Sequence, residues 1–186
     1  MDIQEELFGI KKRSQAINSK RKGNVNELEV TKILQEWTGH EFARVPRSGG
    51  LRWKNRMDIC GDVINVDTGF EFPFSVETKH VASLGLNAEL LRVNSVVYTY
   101  WAQCQRDATA SKKIPFLMIR QNGMPKGSFY IFLQLTGVQR YRLKFIIKEK
   151  YTSEWAHNPL LTGYWGPEFF KRITYDMFKE LMKWEK

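Results

Sequence analysis

The segment Phe70–Lys79, FEFPFSVETK, constrains the fold more than any other part of the chain. Apolar residues occupy every second position, Phe70, Phe72, Phe74 and Val76, which is the period of a half-buried β-strand. Successive side chains alternate faces, so Glu77 and Lys79 share the face that the phenylalanines leave. A carboxylate and an ammonium therefore stand side by side on a rigid element. A second strand-like run, MDICGDVINV, carries Asp58 and Asp62, and the turn signal Asp67-Thr68-Gly69 separates the two runs. A hairpin centred between Asp67 and Thr68 makes opposed residue numbers sum to 135, as 58 and 77 do. That register puts the Asp58 and Glu77 Cβ atoms roughly 5 Å apart. Two facing carboxylates repel unless a cation lies between them, which points to a divalent metal. A turn one residue longer turns Asp58 to the other face, and Pro73 inside the second run signals an edge or a bulge. Asp62 is the weaker acidic candidate on the Asp58 face, Asp67 is assigned to the turn, and Glu29 is left open.

The remaining pattern suggests one layered domain. A helix is expected from a cap at Asn24 to about Thr38, where Val30, Ile33, Leu34 and Trp37 recur at helical spacing before Gly39. A second helix is expected near 95–110 through Val97, Trp101, Cys104 and Ala108, and a final one after Thr174. PFLMIR, SFYIFLQL and RYRLKFIIK read as strands, and 151–173 as an irregular aromatic stretch. Helices interleaved with strands give an α/β domain with a central sheet flanked by helices. The expected organisation is a basic N-terminal arm at 1–22, a core at 23–135 and a C-terminal strand/helix extension at 136–186 packed on that core.

Charge narrows the partner. Lys and Arg number 29 against 20 Asp and Glu, a net charge of +9, which favours a polyanion such as nucleic acid. Residues 11–22 hold six basic and no acidic side chains. Residues 44–56, RVPRSGGLRWKNR, hold five basic residues and a Gly-Gly pair just ahead of Asp58. This basic loop is expected to contact phosphates through Arg44, Arg47, Arg52, Lys54 and Arg56, with Lys22 of the arm. Two separate cysteines, Cys60 and Cys104, make neither a zinc site nor a disulfide framework. With no signal peptide and no long apolar run, the expectation is a cytoplasmic chain that is not membrane-bound.

Met57-Asp58-Ile59 followed by Val76-Glu77-Thr78-Lys79 resembles the PD-(D/E)XK nuclease signature. Asn26-Glu27-Leu28-Glu29, after Arg21-Lys22-Gly23, resembles the helix motif of archaeal-type Holliday junction resolvases, and Arg44–Gly50 their Arg/Ser segment. The resemblance covers about residues 20–122 and implies a restriction-endonuclease-like mixed sheet. It implies Glu27, Asp58, Glu77 and Lys79 as catalytic residues, the three acids binding Mg²⁺, with Mn²⁺ able to substitute. It also implies a serine near the scissile phosphate at Ser48, and a helix glutamine at Gln103 or Gln105. A capping box with Asn24 is the alternative for Glu27. The expected activity is metal-dependent hydrolysis of DNA, a four-way junction being the first substrate and a homodimer the expected assembly. Cleavage of linear duplex or flaps, and DNA binding without catalysis, are the alternatives.

Overall fold

The computed structural model describes residues 3–45, 61–84, 96–147, 152–155 and 158–183. The first helix, α1, runs unbroken over Ile3–Thr38. The basic stretch at 11–22 is thus helical backbone rather than an arm ahead of a helix starting at Asn24. Strands β1 (Phe42–Arg44), β2 (Val63–Asn65) and β3 (Phe74–Val81) follow. Helix α2 (Val96–Ala110) leads into β4 (Ile114–Gln121) and β5 (Tyr130–Gln134). Helix α3 (Gly137–Ile146), strands β6 (Thr152–Trp155) and β7 (Asn158–Trp165), and helices α4 (Gly166–Arg172) and α5 (Tyr175–Lys183) complete the order.

The strands form one seven-stranded mixed sheet, ordered β1-β2-β3-β4-β5-β7-β6. Among the described residues only β3 and β4 pair in parallel, in register from Phe74 against Ile114 to Val81 against Gln121. A parallel pair needs a long crossover, and α2 supplies it. The architecture is an α/β fold of the restriction-endonuclease-like type.

Both sheet faces are covered, so β3 is buried on two sides and not half-buried. On one face, Val30 and Leu34 of α1 pack with Phe74, Val76, Phe116 and Met118. On the other, Val97, Trp101 and Cys104 of α2 pack with Leu117, Ile119 and Phe132. The alternation along β3 therefore sorts residues between two apolar layers rather than between core and water.

Four local expectations change. Val63 pairs with Val76, so the β2–β3 register sums to 139 and not 135. The connection is a long loop from Val66 to Pro73 instead of a two-residue turn. The predicted strand at 140–148 is mostly α3: Thr136 and Gln139 form a reciprocal capping box that starts a helix there. Residues 151–173, read as irregular, contain β6, β7 and α4.

Candidate active site

Glu77 lies deep under α2. It is 3% exposed, and its Oε1 receives a hydrogen bond from Gln103 Nε2 at 2.9 Å. Lys79 Nζ forms an ion pair with the same oxygen. The Lys79 ammonium also sits 5.5 Å from the centre of the Tyr100 ring, a cation–π distance. Tyr100 and Gln103 are three residues apart, so one face of α2 presents both to the strand. Helical spacing selects Gln103 over Gln105, whose side chain instead donates to Gln134 Oε1 at 3.0 Å.

Asp62 completes the acidic pair. Its Oδ2 accepts the Thr78 backbone N–H at 3.0 Å, and its own N–H donates to Val76 O at 2.8 Å. Since Val63 is also the partner of Val76, two residues of this strand meet one of β3. This is a β-bulge arrangement, of the kind that re-aims side chains beside functional sites. Gly61 makes it possible. It has φ +94°, and a Cβ there would lie 2.6 Å from Val76 O. Only a glycine brings the chain this close to β3, and the next residue is Asp62.

The electrostatics follow. Burial first, and then the neighbouring Asp62, push the Glu77 carboxyl up to about 7 against the opposing pull of Lys79. Two carboxylates are thus held together with less positive charge than they need. An all-oxygen donor set of one or two carboxylates suits Mg²⁺ or Mn²⁺, and Asp62 and Glu77 fit that requirement. Among the described residues no group of three His, Cys, Asp or Glu side chains is gathered as a ready metal cage.

The other predicted residues distribute as follows. Glu27 is 1% exposed and pairs with Arg44 of β1 at 3.3 Å. Asn24 lies inside α1 and begins no helix, which removes the capping-box reading of Glu27. Glu29 turns to the other flank of α1 and pairs with Arg120 of β4. Between them, Asn26 Nδ2 donates to Thr78 Oγ1 and ties α1 to β3. Lys22 lines a separate cleft on the α1 side of the sheet. Asp58, Arg47, Ser48, Arg52, Lys54 and Arg56 lie outside the described residues. Asp67 acts in the turn: its carboxylate accepts the Glu41 N–H at 3.0 Å and meets His40 Nδ1 at 2.9 Å. Those bonds hold it below the usual carboxylate range. Cys104 is fully buried, and burial pushes its thiol up to about 12, so it serves as packing.

A mixed sheet with a parallel β3–β4 pair, an acid at the bulge and an E-x-K strand facing a helix glutamine defines the PD-(D/E)XK nuclease class. The chain belongs to the family described as "Phage putative PDDEXK endonuclease", which matches residues 18–163. It is also similar to Protein D14 of Escherichia phage T5, at 28% identity over 109 residues, covering 58% of this chain and 67% of that protein. No solved structure matches the chain. No helix among the described residues is long and apolar enough to cross a membrane.

Proposed function

We propose that this chain is a Mg²⁺-dependent endodeoxyribonuclease that cuts branched DNA, the four-way junction first, as a homodimer. The observation that carries the reading is the Asp62–Glu77–Lys79–Gln103 constellation in a chain of net charge +9. Membership of an endonuclease family supports it. Asp62 and Glu77 would hold the metal, with Asp58 and Glu27 as the further acids that the sequence resemblance implies. The bound ion would offset charge developing on the phosphate oxygens. Gln103 and Lys79 both engage Glu77 Oε1, so they fix the carboxylate's rotamer and direct its other oxygen. Lys79 contributes positive charge where the attacking oxygen and the phosphate meet, orienting water and stabilising the transition state. Arg44, the basic residues among 47–56 and Lys22 would grip the backbone.

The test is incubation of purified protein and Mg²⁺ with labelled four-way junction, linear duplex and single-stranded DNA. Cleavage of the junction is expected, with loss of at least about a hundredfold in Glu77→Gln and Asp62→Asn, the range for removing a key electrostatic group. Preferential cutting of linear duplex would replace the branched substrate. Undiminished cutting by both variants would remove the site, and parallel assay of Asp58→Asn decides which aspartate serves.

A further inference from the structure

On the opposite face of β3 from Glu77 and Lys79 lies a second polar cleft. It has a volume of about 310 Å³ and is lined by Arg21, Lys22, Val25, Asn26, Glu29, His80 and Arg120. Alternation along β3 places His80 on the face of Thr78, away from Lys79. The parallel register sets His80 beside Arg120 on β4. Helix α1 closes the cleft from above with Arg21 and Lys22, about one turn before Asn26 and two turns before Glu29.

Three cations meet one carboxylate here. Glu29 is engaged by Arg120 Nη1 and by the Gly127 N–H at 3.4 Å, and Arg120 Nη2 donates to Met124 O at 3.1 Å. These bonds fix the guanidinium in place without using all five of its N–H groups. Asn26 is 2% exposed; its Nδ2 is committed to Thr78 Oγ1, while its buried Oδ1 has no hydrogen-bond partner. An amide in this position can turn over, accepting from the Thr78 hydroxyl and presenting its N–H to the cleft. Burial first, then Arg120 and Lys22, hold His80 below its ordinary range, against a side-chain hydrogen bond with Asn122 that raises it. The cleft therefore offers excess positive charge, a fixed guanidinium, an imidazole and a buried amide. It sits at the small end of ligand pockets, ~300–1,000 Å³, which suits a phosphate group better than a base pair.

We propose that this cleft is a phosphate-binding subsite that grips the nucleic-acid backbone at a distance from the phosphate being cut. The choice of nucleic acid as the source of the phosphate rests on the nuclease reading. DNA engaging both sites must pass around the C-terminal ends of β3 and β4, so the cleft would fix the direction in which a strand leaves the catalytic face.

The test separates the pocket from its source. The ring signals of His80, assigned with His80→Gln, are followed by NMR as inorganic phosphate is titrated into wild type and into Arg21→Ala/Lys22→Ala. Both substituted side chains are exposed on a helix, and circular dichroism verifies that the fold is kept. Movement of the His80 signals in wild type, weakened in the double variant, is expected. Unmoved signals, or equal movement in both proteins, overturn the pocket. DNA affinity is then measured in Ca²⁺ without cleavage. The double variant is expected to bind about tenfold more weakly, with a salt slope smaller by about one phosphate contact. Equal DNA affinity in both proteins would overturn the nucleic-acid assignment. Wild type that binds phosphate at His80 but no DNA would instead sink the nuclease reading and leave a site for free phosphate.

Discussion

At the scale of single residues, Glu77 is the group whose chemistry the surroundings alter most. Its carboxyl titrates near 7 in the folded protein against 4.5 for an unperturbed group, because it is buried and stands beside Asp62. The folded state therefore holds a proton that the unfolded state has lost between those values, and stability falls as pH rises through the window. Below about 4.5 the penalty is absent; above about 7 it is complete, on the order of 3 kcal/mol. Thermal melts of metal-free protein from pH 5 to pH 8 are expected to show Tm falling, with the slope flattened in Glu77→Gln. Adding Mg²⁺ at pH 8 is expected to raise Tm in wild type and much less in the variant. An unchanged slope in Glu77→Gln would show that other groups set the pH dependence. Glu77 and Lys79 were legible from sequence because the strand period puts them on one face. The value near 7 was not, since it depends on α2 closing over a face that alternation alone reads as open to solvent.

At the scale of elements, the β2–β3 connection shows what pattern alone leaves undecided. A short turn through Asp67-Thr68-Gly69 makes 58 and 77 partners, whereas the observed ladder joins Val63 to Val76. The partner of Val76 is therefore Val63 and not a residue four positions earlier. What replaces the short turn is a web of tertiary contacts. His40 stacks on Phe70 at 3.6 Å between ring centres, and Asn65 Nδ2 donates to Phe70 O at 2.7 Å. Asp67 bonds the backbone ahead of β1. None of these has a local sequence signature. The bulge at Gly61-Asp62 was equally hidden: a lone glycine in a strand-like run is ambiguous until its φ of +94° and the 2.6 Å approach to Val76 O are known. Gly61→Ala is expected to cost about 2 kcal/mol or more, from left-handed strain and the backbone clash together. It should also reduce cleavage beyond the loss of stability, because Asp62 moves with it. Urea denaturation and nuclease activity measured well below the midpoint separate the two effects. A variant as stable and active as wild type would show that the bulge relaxes freely. Helix α3 illustrates the opposite failure, since its signal was present but outvoted. Tyr141, Leu143, Phe145 and Ile147 alternate like a strand, yet Tyr141 and Phe145 are 63% and 74% exposed while Leu143 and Ile147 are buried. The Thr136–Gln139 capping box decided the outcome.

At the scale of the whole molecule, the residues after 135 share the sheet and the core with the rest. Strand β7 pairs along β5 from Tyr130–Trp165 to Gln134–Leu161. Trp37 of α1 lies within 6.4 Å, centre to centre, of Phe116, Phe169, Phe170, Tyr175 and Phe178, and its Nε1 donates to Ile173 O at 2.7 Å. The aromatic cluster thus joins the helix that carries Glu27 to β4, the parallel neighbour of the strand that carries Glu77, and to the last two helices. Sequence alone shows the aromatic residues but not their convergence, which depends on contacts 79 to 141 positions apart. Two outcomes follow if this cluster holds the catalytic framework together. Phe178 is fully buried, so Phe178→Ala is expected to cost about 3–5 kcal/mol, a large share of the ~5–15 kcal/mol by which a domain is stable. A chain ending at Leu135 would strip β5 of β7, one of its two partner strands, and uncover Trp37, Phe74 and Phe116. Such an edge and such a surface favour aggregation, so the truncated chain is expected in the insoluble fraction, or soluble without cooperative unfolding. A truncated chain that stays monomeric, melts cooperatively and still cuts DNA would show that residues 23–135 fold alone and that the C-terminal part is an accessory layer.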